Sequence, residues 1–177
     1  MAEVQTNPRG IPKAPFVDNV TDFVKSSDQV EPVLKSFQEM LQKYKYMELN
    51  TSQRIQGLKD KIPDIKKTLD MVRFLKDGDR DEPVTANYEL NDTLYAKAVL
   101  TPVETVYIWL GANVMLEYTI PEAIDLLQAK LKLAKESLGA CEEDLEFLRE
   151  NITIVEVNTA RVYNWDVQER KRERESK

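Results

Sequence analysis

The chain has 177 residues and a formal net charge of -6, and 32% of its residues are charged, with both signs interleaved along the sequence. This length suits one domain or one elongated subunit, and an interleaved charge pattern argues against a nucleic-acid binder, which needs a basic face. The sequence has no histidine and one cysteine, Cys141, which excludes an internal disulfide and removes the commonest general base and metal ligand.

We expect neither a membrane-spanning segment nor a secretion signal in this chain. No run approaches 18 consecutive apolar residues, and the N-terminal residues lack the apolar segment of a signal peptide. We therefore expect no membrane association, and a reducing compartment similar to the cytosol.

Residues 1–27 combine prolines, small polar residues and a few scattered apolar ones. This composition predicts a mostly flexible N-terminal head. A short helix near Val17–Val24 is the one ordered element that we expect there, and it could dock on another part of the chain.

The first long helix is predicted over residues 28–78. Asp28 and Glu31 have the spacing of a capping box, Pro32 suits the first turn, and Lys76 followed by Gly78 indicates the end. Ten of its twelve heptad positions are apolar, where composition alone would give about five. These positions are Leu34, Phe37, Leu41, Tyr44, Glu48, Thr51, Ile55, Leu58, Ile62, Ile65, Leu69 and Val72.

Residues 84–119 change to an alternating apolar pattern, which is typical of β-strands. Turn residues at Asn91-Asp92 and at 111–113 predict the turn of each hairpin, and Thr101-Pro102 breaks the region between the two hairpins. The four predicted strands are Asn87–Leu90, Leu94–Leu100, Thr105–Leu110 and Val114–Tyr118.

The predicted strands are apolar on both faces in places, and two hairpins of this size cannot bury both faces alone. We therefore predict that the hairpins form an oligomerisation body. The alternative is that helices of the same chain cover the strands as a small α+β domain. The candidate oligomerisation residues are Leu94, Val106, Ile108, Trp109, Leu110, Val114 and Leu116.

The second long helix is predicted over residues 120–168, beginning at a capping box formed by Thr119 and Glu122. Residues 169–177 are predicted to form a charged, solvated tail. Only Thr159 is polar among the twelve heptad positions of this helix, which are Ile124, Leu127, Leu131, Ala134, Leu138, Cys141, Leu145, Leu148, Ile152, Val155, Thr159 and Val162.

The predicted fold is mainly α with a small β part: a long antiparallel two-helix coiled coil with two inserted β-hairpins. Two helices of similar length joined by one connection pair most simply in antiparallel orientation. A register in which paired residue numbers add up to 196 aligns every seam layer, so that Leu41 lies level with Val155 and Ile55 with Cys141. Registers of 189 and 203 keep the pattern but leave one helix overhanging.

Apolar residues also lie near the free ends of both predicted helices, mostly off the seam. They form a candidate interaction surface, because methionine and aromatic side chains suit adaptable binding. The alternative interpretation is that residues 11–24 or a neighbouring subunit cover them. The candidates are Val33, Phe37, Met40, Tyr46, Met47, Ile154, Val157, Tyr163 and Trp165.

Three stretches carry a resemblance to a known family: YKYMELN at 44–50, WLGANVMLEY at 109–118 and NTARVYNWDV at 158–167. The segment IPDIK at 62–66 fits as well. Over roughly residues 11–168 the chain resembles an α-type subunit of the prefoldin family. Four strands in place of two are the mark of the α type in that family, and four are predicted here.

The resemblance implies an ATP-independent co-chaperone whose partners are one further α-type and four β-type prefoldin subunits. The hairpins would form a double β-barrel, and coiled-coil tips would hold unfolded actin and tubulin for delivery to the cytosolic group II chaperonin. A cytoplasmic location follows, with the nucleus as an open alternative. The alternative function is a coiled-coil scaffold or tether with a fixed partner.

An enzyme is the least favoured interpretation. Nothing in the sequence resembles a nucleophile–base pair, a phosphate-binding loop or a metal cluster, so we predict no catalytic residue, metal or cofactor.

Overall fold

The structure is a computed structural model that describes residues 5–24, 29–77, 83–101 and 103–175. It confirms the predicted fold class, because two long helices flank two β-hairpins. The predicted cap at Asp28 and stop at Gly78 lie outside the described residues. The elements in chain order are α1 (Val20–Phe23), α2 (Val30–Asp77), β1 (Val84–Asn91), β2 (Leu94–Leu100), β3 (Thr105–Gly111), β4 (Val114–Thr119) and α3 (Ile120–Glu175).

The chain divides into two compact units, and both long helices contribute to each. The first unit contains Met1–Gly57 and Leu138–Lys177, and the second contains Leu58–Ser137. Neither long helix contains, within the described residues, a stretch apolar enough to cross a membrane.

The predicted heptad seam is confirmed, because every seam position is buried or half-buried. The first unit has a buried cluster that includes the seam residues Phe37, Tyr44, Leu148, Ile152, Val155 and Val162. The second unit buries Leu69 and Val72 of α2 with Ile124 and Leu127 of α3. The polar seam residue Thr159 donates its hydroxyl to the Val155 carbonyl at 2.8 Å, so its hydrogen-bonding need is met within its own helix.

Two ion pairs between α2 and α3 show the antiparallel orientation in the first unit. Lys45 Nζ lies 3.1 Å from Glu156, and Arg149 Nε lies 3.0 Å from Glu48, so numbers rise along one helix as they fall along the other. The 189 register would separate Glu48 and Arg149 by eight helical residues, or roughly 12 Å of rise. The two pairs therefore exclude the 189 register. The residue numbers that lie level on the two helices add up to between 196 and 203.

We expect a disulfide test to choose between the remaining registers. In a Cys141→Ala background, cysteines at Leu41 and Val155 should crosslink within one chain, because the 196 register places them level. The pair Leu41→Cys with Val162→Cys is the matched test of the 203 register. Intramolecular disulfide, measured by non-reducing mass spectrometry, should form mainly in the first variant, and the opposite ranking would show that the helices pair one heptad away.

The hairpins form two separate two-stranded antiparallel sheets, and no third strand joins either of them within the described residues. In the first, Val84 pairs with Leu100, so β1 begins three residues before the predicted strand. In the second, Thr105 pairs with Thr119. Its turn places Ala112 and Asn113 at φ values of 49° and 63°, which is the left-handed geometry that tight two-residue hairpin turns require.

Helix α3 begins at the predicted capping box. The Thr119 backbone N–H and hydroxyl donate to Glu122 Oε2 at 3.1 and 2.8 Å. These hydrogen bonds, from the hydroxyl first and then from the backbone, lower the pKa of Glu122, because they stabilise its charged form. The carboxylate is thus held in the state that best caps a helix N-terminus.

The helix also continues through Glu175, beyond residue 168, where the sequence predicted the coiled-coil segment to end. Ion pairs at three- and four-residue spacing explain the extension, since such pairs stabilise helix on an exposed surface. They are Arg170 with Asp166 at 2.9 Å, Arg172 with Glu169 at 3.4 Å and Lys171 with Glu175 at 3.8 Å.

The prediction of a flexible head is wrong for residues 5–24, which we call the strap. The strap is part of the first unit and has a mainly extended conformation. Helix α1, near its end, confirms the predicted short helix. Ala14, Val17 and Val24 are almost completely buried, as members of the cluster that contains the seam residues. The proline-rich composition predicted flexibility, but three buried apolar side chains of the strap pack in the core of the first unit.

Candidate functional site

The β3–β4 hairpin exposes apolar side chains on both faces. Trp109 and Met115 are directly paired across the strands, and with Tyr107 they form one exposed face. Trp109 is 56% exposed, although a side chain of this size is usually covered in a soluble chain. On the other face Leu110, Val114 and Leu116 are also exposed.

The same chain covers only part of that second face. Ile108 is 9% exposed and packs in the cluster of the second unit, with Val106 and Tyr118 half-buried against it. Ile108 is therefore corrected from an oligomerisation candidate to an intrachain core residue, because its side chain faces the helices of its own chain. The helices cover one end of one sheet face and leave the remainder exposed.

The β1–β2 hairpin has a second apolar surface that includes the predicted residue Leu94. Tyr88 pairs with Ala96 and Ala86 with Ala98, so these positions lie on one face of the hairpin. The large apolar side chains exposed on this hairpin are Tyr88, Leu90, Leu94, Tyr95, Val99 and Leu100.

The predicted interaction surface of the first unit is only partly accessible. Phe37 is buried, which corrects its assignment, because a seam residue faces the partner helix. Five other candidates are half-buried and pack against the same cluster: Val33, Met40, Met47, Ile154 and Trp165. That cluster includes Ala14, Val17 and Val24, so residues 11–24 contribute to the core against which this surface packs.

Three candidates remain exposed. Tyr46 is 68% exposed and Tyr163 58%, and Val157 is exposed as well. Leu49 on α2 and Val167 on α3 are additional exposed apolar residues of the same unit. We call Tyr46, Val157 and Tyr163 the exposed triad.

Two asparagines that sequence reasoning missed hold the strap in place. Asn151 and Asn158 of α3 are 1% and 0% exposed, and the side-chain oxygen of each accepts a strap backbone N–H. They lie seven residues apart, so the heptad pattern puts both on one face of α3 beside the seam. Two asparagines at this spacing next to an apolar seam were a signal that could have revealed the contact.

The beginning of the strap is fixed by charge. Arg9 forms ion pairs with Asp144 at 2.6 Å and with Glu143 at 2.9 Å, and Asn7 donates to Asp144 at 2.6 Å. The hydrogen bonds to Asp144 and then Glu143 raise the pKa of Arg9, whose guanidinium is charged at physiological pH in any case. Because Arg9 is solvent-accessible, these pairs orient the strap more than they stabilise it.

No group of three acidic or cysteine side chains within the described residues is placed to hold a metal ion. Cys141 is buried at its seam position.

Comparison with known proteins agrees with these features. A family model described as prefoldin subunit matches residues 44–165. Proteins named prefoldin subunit 3 from Elsinoe fawcettii, Saccharomyces cerevisiae and Homo sapiens are 61%, 49% and 46% identical to this chain. The matches cover 99%, 94% and 95% of this chain and 89%, 88% and 87% of the relatives.

A solved structure shows the same fold. The cryo-EM structure of filamentous PFD from Methanocaldococcus jannaschii matches with a TM-score of 0.54 and 16% identity, over 68% of this chain and 98% of that one. Identity this low shows the fold alone, whereas the sequence relatives show the family. The chain, with two long helices around two exposed hairpins, belongs to the prefoldin family.

Proposed function

We propose that this chain is one subunit of a heterohexameric, ATP-independent co-chaperone that captures unfolded proteins and delivers them to the cytosolic group II chaperonin. Actin and tubulin are the proposed clients, and one further α-type and four β-type subunits complete the complex. Family membership makes other prefoldin subunits its partners. The observation that carries the proposal is the pair of hairpins whose apolar faces the chain itself leaves uncovered.

The hairpins support assembly because of both their edges and their faces. A two-stranded sheet leaves backbone groups unpaired along its outer edges, and these can pair with strands of another chain. Apolar residues on both faces require cover on both sides, which neighbouring hairpins provide in a closed barrel. A monomer would leave Trp109 and its neighbours in water.

The exposed triad supports client capture. Tyr46, Val157 and Tyr163 are exposed on α2 and α3 in the first unit, where the buried seam residues and not these three hold the helices together. Tyrosine combines a large apolar ring with a polar group, which suits contact with many different sequences. Apolar residues that are exposed and do not contribute to the hydrophobic core are typical of binding sites.

We predict that replacing the exposed triad with serine weakens client capture but permits assembly. The hexamer carrying Tyr46→Ser, Val157→Ser and Tyr163→Ser should require at least about twice the concentration to suppress aggregation of unfolded actin. The expected effect is modest because several subunits grip one client, and avidity masks the loss from one of them. Light scattering during dilution of actin from denaturant provides the measurement.

The matched control replaces three exposed polar residues of the same helices, Gln42, Glu146 and Asn164, with serine. This variant should suppress aggregation as the wild type does. Equal capture by triad and control variants would remove the triad from the client site. A wild-type hexamer that suppressed no aggregation would instead support the scaffold function.

Delivery and location need separate tests. Labelled actin held by the complex should transfer to purified group II chaperonin without ATP, as followed by native gel, and failure to transfer would contradict the delivery step. We propose a cytoplasmic location, and exclusive nuclear fluorescence of the tagged chain would contradict it.

A further inference from the structure

The helices recognise the strap largely through its backbone. Asn158 accepts the Val17 N–H at 3.0 Å and donates to the Pro15 carbonyl at 2.7 Å, so both ends of its amide bind the strap. Asn151 accepts the Ala14 N–H at 2.6 Å. An amide side chain that pairs with an N–H and a carbonyl of an extended chain recognises the backbone, and this recognition does not depend on the side chains of that segment.

Two further side chains continue this recognition. The Tyr44 hydroxyl donates to the Pro12 carbonyl at 2.8 Å, and burial raises the pKa of Tyr44. Arg161 donates to the Val17 carbonyl at 2.7 Å, and its guanidinium lies 4.8 Å from the centre of the Phe16 ring. Five backbone groups between residues 12 and 17 are thus bonded to helix side chains.

The spacing of the asparagines matches an extended peptide. Seven helical residues separate Asn151 from Asn158, which corresponds to roughly 10.5 Å of rise. Three residues of extended chain, from Ala14 to Val17, span about 10 Å. Every third residue of an extended segment therefore meets the same side of α3 one heptad further on. This periodic match does not depend on which side chains the segment carries.

The side-chain requirements of this groove are modest. The two residues whose N–H groups are read, Ala14 and Val17, are small and apolar, and both are buried. A cavity of about 760 Å³ adjoins Ala14 and is lined by Pro12 and Phe16 of the strap and by Met40, Tyr44, Met47 and Ile154 of the helices, among others. The strap therefore leaves space for larger apolar side chains at the positions of Pro12 and Phe16, whereas the buried positions of Ala14 and Val17 take small ones.

We propose that this groove, defined by Tyr44, Asn151, Asn158 and Arg161, is a binding site for extended polypeptide segments, and that the strap is its resident ligand in cis. The segments it takes have small apolar residues three positions apart. On the basis of the proposed function, an unfolded client competes with the strap for this groove. The strap then limits access to the apolar surface beneath it.

The first experiment measures the groove directly. A hexamer lacking residues 1–24 of this subunit is titrated with a fluorescein-labelled peptide of residues 5–24, followed by fluorescence anisotropy. The peptide should bind this hexamer at least about tenfold more tightly than the wild type, where the strap competes at a high effective concentration. Equal binding to both hexamers, or none to either, would overturn the proposal.

Peptide variants supply the matched control. Val17→Asp puts a charge at a buried strap position and should weaken binding at least about tenfold, whereas Thr21→Asp adds the same charge at an exposed position and should leave it unchanged. Asn158→Ala in the strapless hexamer should weaken binding of the unmodified peptide. Insensitivity to both Val17→Asp and Asn158→Ala would show that the peptide binds elsewhere.

The second experiment uses the intact complex, so it does not depend on the stability of the deletion. Hydrogen exchange of the Ala14–Val17 segment is compared with and without reduced, carboxymethylated α-lactalbumin as the unfolded client. Faster exchange with bound client is expected, because the client displaces the strap. Unchanged or slower exchange while the client is held would overturn the competition. Failure to hold any client would count against the proposed function, whereas the peptide titration tests the groove alone.

Discussion

Replacing Tyr107, Trp109 and Met115 together with serine is expected to exclude this chain from the assembled complex. These three residues form one exposed face of the β3–β4 hairpin. Full burial of a large apolar side chain contributes about 1.5–3 kcal/mol, so removing three should weaken association at least about a hundredfold. Co-expression with partner subunits followed by native mass spectrometry measures how much of the chain is incorporated.

The exposed triad of the first unit is the matched control. It also replaces two aromatic residues and one aliphatic residue with serine, but on helices rather than on the hairpin. That variant should assemble like the wild type and show only the modest weakening of client capture expected for the exposed triad. Normal assembly of the hairpin variant would contradict the role of this face, and failure of both variants would indicate a general loss of solubility.

Replacing Leu148 with alanine is expected to destabilise the first unit by about 2–5 kcal/mol, because it leaves a cavity in a packed seam. Leu148 is completely buried, in the cluster that also holds the buried strap residues. Trp165 packs against that cluster and can report on it. The measurement is urea unfolding of the complex, followed by ¹⁹F NMR of 5-fluorotryptophan incorporated into this subunit only, with Trp109→Phe so that one signal remains.

Leu133→Ala is the control for this prediction. Leu133 lies on the same helix and is 63% exposed, so the identical substitution should change stability by no more than about 0.5 kcal/mol. Equal destabilisation by both substitutions would show that Leu133 is covered in the assembled complex. A negligible effect of Leu148→Ala would contradict the seam position assigned to it.

Local periodicity was sufficient for the secondary structure. Apolar residues at heptad spacing predicted both long helices, and every seam position proved to be buried or half-buried. The alternating pattern and turn residues predicted both hairpins, with β2 matching its predicted bounds from Leu94 to Leu100. These predictions succeed because each depends on residues a few positions apart in one element.

The interaction surfaces were predicted less well. Tyr46 and Met47 are neighbours of similar apolar character, yet Tyr46 is exposed and Met47 packs against the core. The sequence pattern shows that both lie off the seam, but exposure depends on what else reaches that side of the helix. For Met47 it is the strap, more than thirty residues away in sequence, that lines the adjoining cavity.

The sequence by itself determined the two helices, their seam, the capping box at Thr119 and the two hairpins with apolar strands. Only the tertiary structure decided that the strap is docked, that Asn151 and Asn158 bind its backbone, and that Ile108 is covered by its own chain while Trp109 is exposed. The physical reason is the separation along the sequence between the residues in contact. Helix and strand patterns arise from neighbours along the chain, whereas the hydrogen bonds from the strap to Asn151 and Asn158 join residues more than 130 positions apart. The seven-residue spacing of Asn151 and Asn158 is the signal of this contact in the sequence, and it does not show which distant segment the two asparagines bind.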